Sequence, residues 1–190
     1  MLIKYIYYYL MLKLTTMEKQ YFTVKRELRK RLEVQGYIGY SDVELNDHKY
    51  GIRHAYYLCG SLVLLGLILT NIYILIVAMA IAFLGSVLQN HPLDYLYNAV
   101  TRHLFNKPKM IRRPNQGRFA CGIATVMIGG TIYLFYAGLN IWGYVSGEFL
   151  LVVATLVATT DICIPSMIYN SLFLRKKESM QGSVASTENN

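Results

Sequence analysis

The chain reads as an all-α polytopic membrane protein: two transmembrane helical hairpins, four spans in all, with an interfacial amphipathic helix between them. Three observations predict this. Apolar stretches run from Ala55 to Leu88, from Phe119 to Leu139 and from Phe149 to Leu174, and a bilayer-spanning helix needs about 20 mostly apolar residues. The 190 residues are 54% hydrophobic, with a mean hydropathy of +0.31. Of the 19 Lys and Arg, ten precede the first span, six lie between the second and third, three follow the fourth, and the hairpin tips carry none. Loops rich in Lys and Arg stay cytoplasmic, so both termini and the central loop are expected on the cytoplasmic side of the cell (inner) membrane. There they would meet the anionic head groups of membrane lipids. Basic residues that flank helix ends, rather than forming one face, argue against nucleic acid as the partner despite a net charge of +8.

The cytoplasmic segment 1–49 divides in two. Residues 1–16 hold about ten apolar residues between Lys4 and Lys13, too few to span, and lack the small-residue cleavage site of a secretory signal. From Met17, itself a candidate start residue, Tyr21, Val24, Leu28 and Leu32 recur at helical spacing among Lys25, Arg26, Arg29, Lys30 and Arg31. That pattern predicts a basic amphipathic helix on the inner leaflet.

The membrane domain follows over 50–174. As one helix, the 34 residues from 55 to 88 would reach about 51 Å. The polar Thr70-Asn71 pair is therefore read as a hairpin tip between spans 53–70 and 72–89. His91-Pro92-Leu93-Asp94 is a helix start, with Pro at the first position and an acid in the first turn. Leu93, Leu96, Val100 and Leu104 then form one stripe of an interfacial helix over 92–105, apart from Asp94, Asn98 and Arg102. A Pro-containing basic loop, Asn106–Gln116, leads to the third span at 119–139. Asn140 to Glu148 is read as the second tip and 149–174 as the fourth span. Cys121, Thr125 and Gly129 repeat every four positions, as do Ala154 and Ala158. Small residues let helices approach closely in lipid, so the third and fourth spans are expected to pack together. The tail, 175–190, is basic and then polar and is expected to be disordered.

The chemically unusual stretch is Thr159-Thr160-Asp161-Ile162-Cys163-Ile164-Pro165-Ser166. Within a span over 149–174, Asp161 would sit near mid-membrane, where a charge costs at least about 2.5–3.5 kcal/mol. Pro165 lacks the N–H that would bond the Asp161 carbonyl. A buried acid, a freed acceptor and a kink would then coincide, either as a cation or proton site or as a clamp to a hydroxyl such as Thr131 or Ser61. The three cysteines, Cys59, Cys121 and Cys163, are an odd number on the reducing side, which argues against structural disulfides. Around a regular helix Asp161 and Cys163 point about 160° apart, so they are not expected to form a dyad. His91 and His103 lie twelve apart with no Cys or carboxylate at ligand spacing, so no metal site and no cofactor is expected.

From about Gly51 to Phe173 the chain resembles a small, mostly bacterial membrane family, domain of unknown function 4395. The resemblance rests on Arg118-Phe119-Ala120 opening the third helix and on Cys163-Ile164-Pro165-Ser166-Met167-Ile168-Tyr169 in the last. It implies two short helical hairpins. It also implies a Cys-x-x-Cys followed by an acid and an aromatic. Cys163 and Tyr169 match, whereas Ser166 replaces the second Cys and Met167 the acid, so the dithiol of that pattern is not present.

No Gly-rich phosphate loop, metal spacing or Ser-His-Asp set is found. The expected function is that of a non-enzymatic accessory or scaffold protein with a membrane or cytoplasmic protein partner. The alternatives are a thiol or sulfur-handling protein using Cys163 with Cys121, and a small-solute or proton transporter using Asp161.

Overall fold

A computed structural model describes residues 26–104 and 108–174; residues 1–16, the first part of the basic segment and the 175–190 tail lie outside the described residues. The described residues form helices and connecting turns, with no strand among them. In order they are α1 (residues 26–34), α2 (Asp42–Ile68), α3 (Ile72–Val87), α4 (Pro92–Leu104), α5 (Asn115–Tyr136), α6 (Asn140–Thr160) and α7 (Ile164–Leu174). Three of these, α2, α5 and α6, are long and apolar enough to cross a membrane. With 16 residues, α3 passes only together with α4, from which it is bent by 90°, so the count is three or four.

The core lies where α3 packs along α5 and where α6 packs on both α2 and α5. It is built from Val63, Leu67, Leu75, Ala78, Ala82, Ile128, Phe135 and Leu150. Outward-facing residues are just as apolar: Tyr73, Val126, Tyr136 and Ile141 are each exposed. Helices that are apolar all round suit a lipid surrounding. Close contact between α2 and α6 depends on Gly147, where an added Cβ would come within 2.7 Å of Leu67.

Each helix end has a local cause. Ser41 and Glu44 form a reciprocal capping box at the start of α2. The first hairpin tip falls at Thr70-Asn71, as the polar pair suggests: Thr70 adopts φ 47°, and Asn71 Oδ1 accepts from the Tyr73 and Ile74 amides at 3.0 and 3.3 Å. The second tip is displaced from the sequence reading. It is the short turn Ala137-Gly138-Leu139, with Gly138 at φ 76°, and Asn140 to Glu148 are helical. Gly143, Ser146 and Gly147 pack inward instead of forming a loop, while Asn140 and Glu148 stay exposed: Gly143 meets Phe135, and the Ser146 hydroxyl accepts from Thr131 Oγ1 at 3.1 Å.

This shift corrects the fourth span. A helix over Asn140–Thr160, 21 residues, is about 31 Å long and already matches the roughly 30 Å hydrocarbon thickness. The apolar helix long enough to span is therefore 140–160 rather than 149–174, and Asp161 stands at its end. Helix α6 stops at Asp161, which is left-handed at φ 59°, and α7 starts afresh after Cys163 with Pro165 in its first turn. Pro165 opens a helix rather than kinking one.

Two amphipathic elements also differ from the sequence reading, α1 in what its apolar stripe covers and α4 in which face it buries. In α1, Leu32 is fully buried in a cluster with Tyr37, Leu45, Ile52, Tyr97 and Met110; its apolar side is spent on the protein, not on a leaflet. In α4 the buried positions are Asp94 and Tyr97, while Leu96, Val100 and Leu104 are exposed.

Candidate functional site

The end of the bundle that carries the N-terminus of α2, the C-terminus of α6 and the connection around α4 gathers nearly all the buried polar chemistry. A helix C-terminus leaves its last four carbonyls without intrahelical partners. At the end of α6 side chains supply them. Tyr57 Oη donates to the Ala158 carbonyl at 3.3 Å, Arg53 Nη2 to Thr159 at 3.3 Å and Arg31 Nη1 to Thr160 at 2.8 Å. Gln35 Nε2 donates to the Asp161 carbonyl at 2.8 Å. The carbonyl singled out through Pro165 is thus bonded from the α1 end.

Asp161 itself is 4% exposed. Arg53 grips it with both arms of the fork, Nε to Oδ1 at 2.8 Å and Nη2 to Oδ2. Such bidentate, charge-assisted pairing is the strongest arrangement open to a carboxylate. The sequence reading offered Thr131 or Ser61 as the hydroxyl of a clamp on Asp161; neither bonds it. Thr131 bonds Met127 and Ser146, and Ser61 bonds the Leu58 carbonyl.

A second pair was not anticipated. Arg113 Nε and Nη2 donate to Asp94 Oδ2 and Oδ1 at 2.7 and 2.8 Å, with both side chains under 5% exposed. Burial works against the guanidinium charge, but the Asp94 carboxylate more than compensates and holds the Arg113 pKa above its ordinary value. Asp94 also accepts from the His91 amide at 3.1 Å, and His91 Nδ1 accepts from the Leu93 amide at 3.2 Å, so α4 begins in a closed capping arrangement. His91 is 2% exposed. Burial, then the neighbouring Arg113 charge, pushes its pKa down to about 4 against the opposing pull of Asp94.

Beside these pairs lies an apolar cavity of about 100 Å³ in the heart of the bundle, walled by residues of α2, α3, α5 and α6. Cys59, Cys121 and Cys163 all line it, together with Tyr56, His91, Arg113 and Pro165. Cys163 and Cys121, named from the sequence, are therefore brought to one space, and Cys59 joins them. Asp161 is not among its lining residues. It borders an outer depression with Arg31, Lys49 and Arg53. Ser166 is fully buried, and its hydroxyl has no hydrogen-bond partner among the described residues. No group of three or more His, Cys, Asp or Glu suited to a metal ion occurs among the described residues. His103 accepts from its neighbour Arg102 at 3.2 Å.

The Arg118-Phe119-Ala120 segment joins three elements. Arg118 donates to the Ser86 and Val87 carbonyls at 3.1 and 2.8 Å and so finishes α3. Phe119 meets Tyr169 and Phe173 of α7 at 5.4 and 6.2 Å between ring centroids. Ala120 is buried with Val157 and Cys163. In the α5 stripe, Gly129 faces Met79 of α3, although α5 also packs on α6 as expected.

Arg53, Arg113, Asp94 and Gln35 are the residues that sequence reasoning missed. A signal existed: a chain with only 11 acidic residues and long apolar spans can bury an acid only beside a cation, which made every Asp near a helix end a pairing candidate.

No curated protein and no solved structure matches the chain. The family described as a domain of unknown function, DUF4395, matches residues 48–173, which runs from within α2 to the end region of α7 and includes the Arg53–Asp161 and Arg113–Asp94 pairs, and the chain belongs to that family.

Proposed function

We propose that the chain is an integral protein of the cell membrane with four spans in two hairpins. In this reading both termini and α4 lie on the cytoplasmic side, and the protein serves as a non-enzymatic accessory or scaffold for a membrane or cytoplasmic protein. The Lys and Arg distribution supports the orientation, and the basic face of α1 supports contact with anionic head groups. One observation carries the functional reading: Asp161, the acid best suited to transport, is held by Arg53 at the end of α6 while its carbonyl is held by Gln35. A carboxylate engaged in this way fastens helices, and Asp161 does not line the cavity within the bundle. Reporter fusions active on one side of the membrane test the topology, and an outside-active C-terminal fusion overturns it. Proteoliposomes test the role. The scaffold reading expects no proton uptake, and uptake that disappears in Asp161→Asn contradicts it.

A second reading, membrane thiol or sulfur handling, is favoured by the convergence of Cys59, Cys121 and Cys163 on one cavity. It expects a small permeant alkylating reagent to reach Cys163 quickly at neutral pH. The scaffold reading expects slow labelling, and a Cys163→Ala protein that expresses and melts like the parent.

A further inference from the structure

A groove runs down the outer face of the bundle where α3 meets α5. It is open and almost wholly apolar, about 640 Å³, and is lined by Phe119, Gly122, Val126 and Met127, with Arg118 and Ser86 at its head. From Arg118 to Met127 is nine residues of helix, about 13 Å, close to the roughly 15 Å of a single leaflet. Gly122 makes the channel: a Cβ there would meet only Ser86, at 3.9 Å, so the space in front of it is empty rather than filled by α3. At the head, Arg118 places two N–H donors on the Ser86 and Val87 carbonyls. A guanidinium has five donors, and no carboxylate pairs with this one among the described residues.

We infer that this groove is a binding site for one acyl chain of an anionic phospholipid, whose phosphate sits on Arg118. A cation with donors to offer stands at one end, an apolar trough one leaflet deep leads away from it, and the trough opens on the outside of the bundle, where Val126 is 76% exposed. Charge and length together match a phospholipid better than a zwitterionic or uncharged occupant. The inference rests on α5 being a membrane span, as proposed above.

The test begins with carbonate extraction of membranes from expressing cells. The four-span reading, and the groove with it, falls if the chain is released as a soluble protein. Protein retained in the membrane is then purified in detergent and titrated with phosphatidylglycerol or phosphatidylcholine, and bound lipid is counted by native mass spectrometry. The expected result is one lipid, with phosphatidylglycerol preferred about fivefold, the ratio given by one Arg near an anionic head group. Arg118→Lys should keep the preference and Arg118→Gln should abolish it. Gly122→Leu, whose added Cβ would meet only Ser86 of α3 at an ordinary contact distance of 3.9 Å, fills the trough and should lose the lipid while melting like the parent. Equal binding of the two lipids, or Gly122→Leu binding as before, overturns the assignment while leaving the membrane reading standing. So does a dimer that Gly122→Leu dissociates with bound lipid unchanged, which would make the groove a contact between two copies of the chain.

Discussion

The side chains of Arg113 and Asp94 are 3% and 4% exposed and 19 residues apart, whereas those of Arg53 and Asp161 are 25% and 5% exposed and 108 residues apart. The first pair is shut away from water and fixes a short connection: it holds the stretch before α5 against the start of α4. The second stands at the edge of the bundle and fixes where a helix ends, tying α2 to the break between α6 and α7. Similar chemistry does two kinds of work. A fully desolvated pair is costly to break from one side, because the remaining charge is stranded. A partly wetted pair can be relieved by solvent, so its loss loosens a joint rather than opening the core.

The largest effect should come from breaking the buried pair on one side. Arg113→Leu leaves Asp94 without its cation and should cost about 3–5 kcal/mol, read as a collapse of the melting temperature in detergent or failure to accumulate. Arg113→Met with Asp94→Leu should recover most of the loss, since apolar replacements of both partners are often neutral. A double variant as weak as the single would mean that the pair acts through something other than charge.

Next in size is acid sensitivity at the same end. An unfolded imidazole titrates near 6.5, and His91 in the fold near 4. Between those values the unfolded chain binds a proton that the folded one does not. This contribution is therefore complete above pH 6.5 and is lost as pH falls toward 4, by roughly 3 kcal/mol in all. His91→Asn keeps a capping acceptor and should flatten this part of the stability profile. An unchanged slope would assign the acid sensitivity to other groups.

A smaller change sharpens the same region. At Gly85 an added Cβ would lie 2.2 Å from His91 Cδ2, and the ring is held by its cap and by burial. Gly85→Ala should cost about 1–3 kcal/mol through overpacking, measured by thermal melting. A neutral result would show that the His91 ring moves freely.

The smallest effect belongs to the opposite end, where Thr70 Oγ1 and Tyr144 Oη are 2.7 Å apart across the two tips. Tyr144→Phe removes an exposed bond but keeps the ring against Phe135 at 5.1 Å. It should cost less than about 1 kcal/mol. A larger loss would mean that the tips, not the ion-paired end, hold the hairpins together.

Periodicity and charge bias made part of this structure legible. The Thr70-Asn71 tip, the Pro92 helix start and the apolar spans follow from patterns that act within one element. The second tip was misplaced because Asn140, Ser146 and Glu148 look like a loop, while the residue that actually turns the chain is Gly138 in a run of otherwise apolar residues. That error of nine residues placed Asp161 within a span instead of at a helix end, and offered a hydroxyl as its clamp where the structure has Arg53. Ion pairing between Arg53 and Asp161 depends on where two helices stop, so no local pattern announces it. The same Arg residues that entered the expected topology through the positive-inside rule were counted as loop charges and not considered as partners. Cys121 and Cys163 could be named from the sequence as candidates, but the cavity that they line together with Cys59 depends on packing of four helices at once.

The most direct test is a double-mutant cycle on Arg53 and Asp161, comparing thermal stability in detergent for the parent, Arg53→Ala, Asp161→Ala and the double variant. If Asp161 fastens α6 to α2, the two losses are strongly non-additive, with a coupling of about 1–2 kcal/mol. Additive losses, with no coupling between the two positions, would contradict the account and return Asp161 to the role of a free carboxylate at the end of a span.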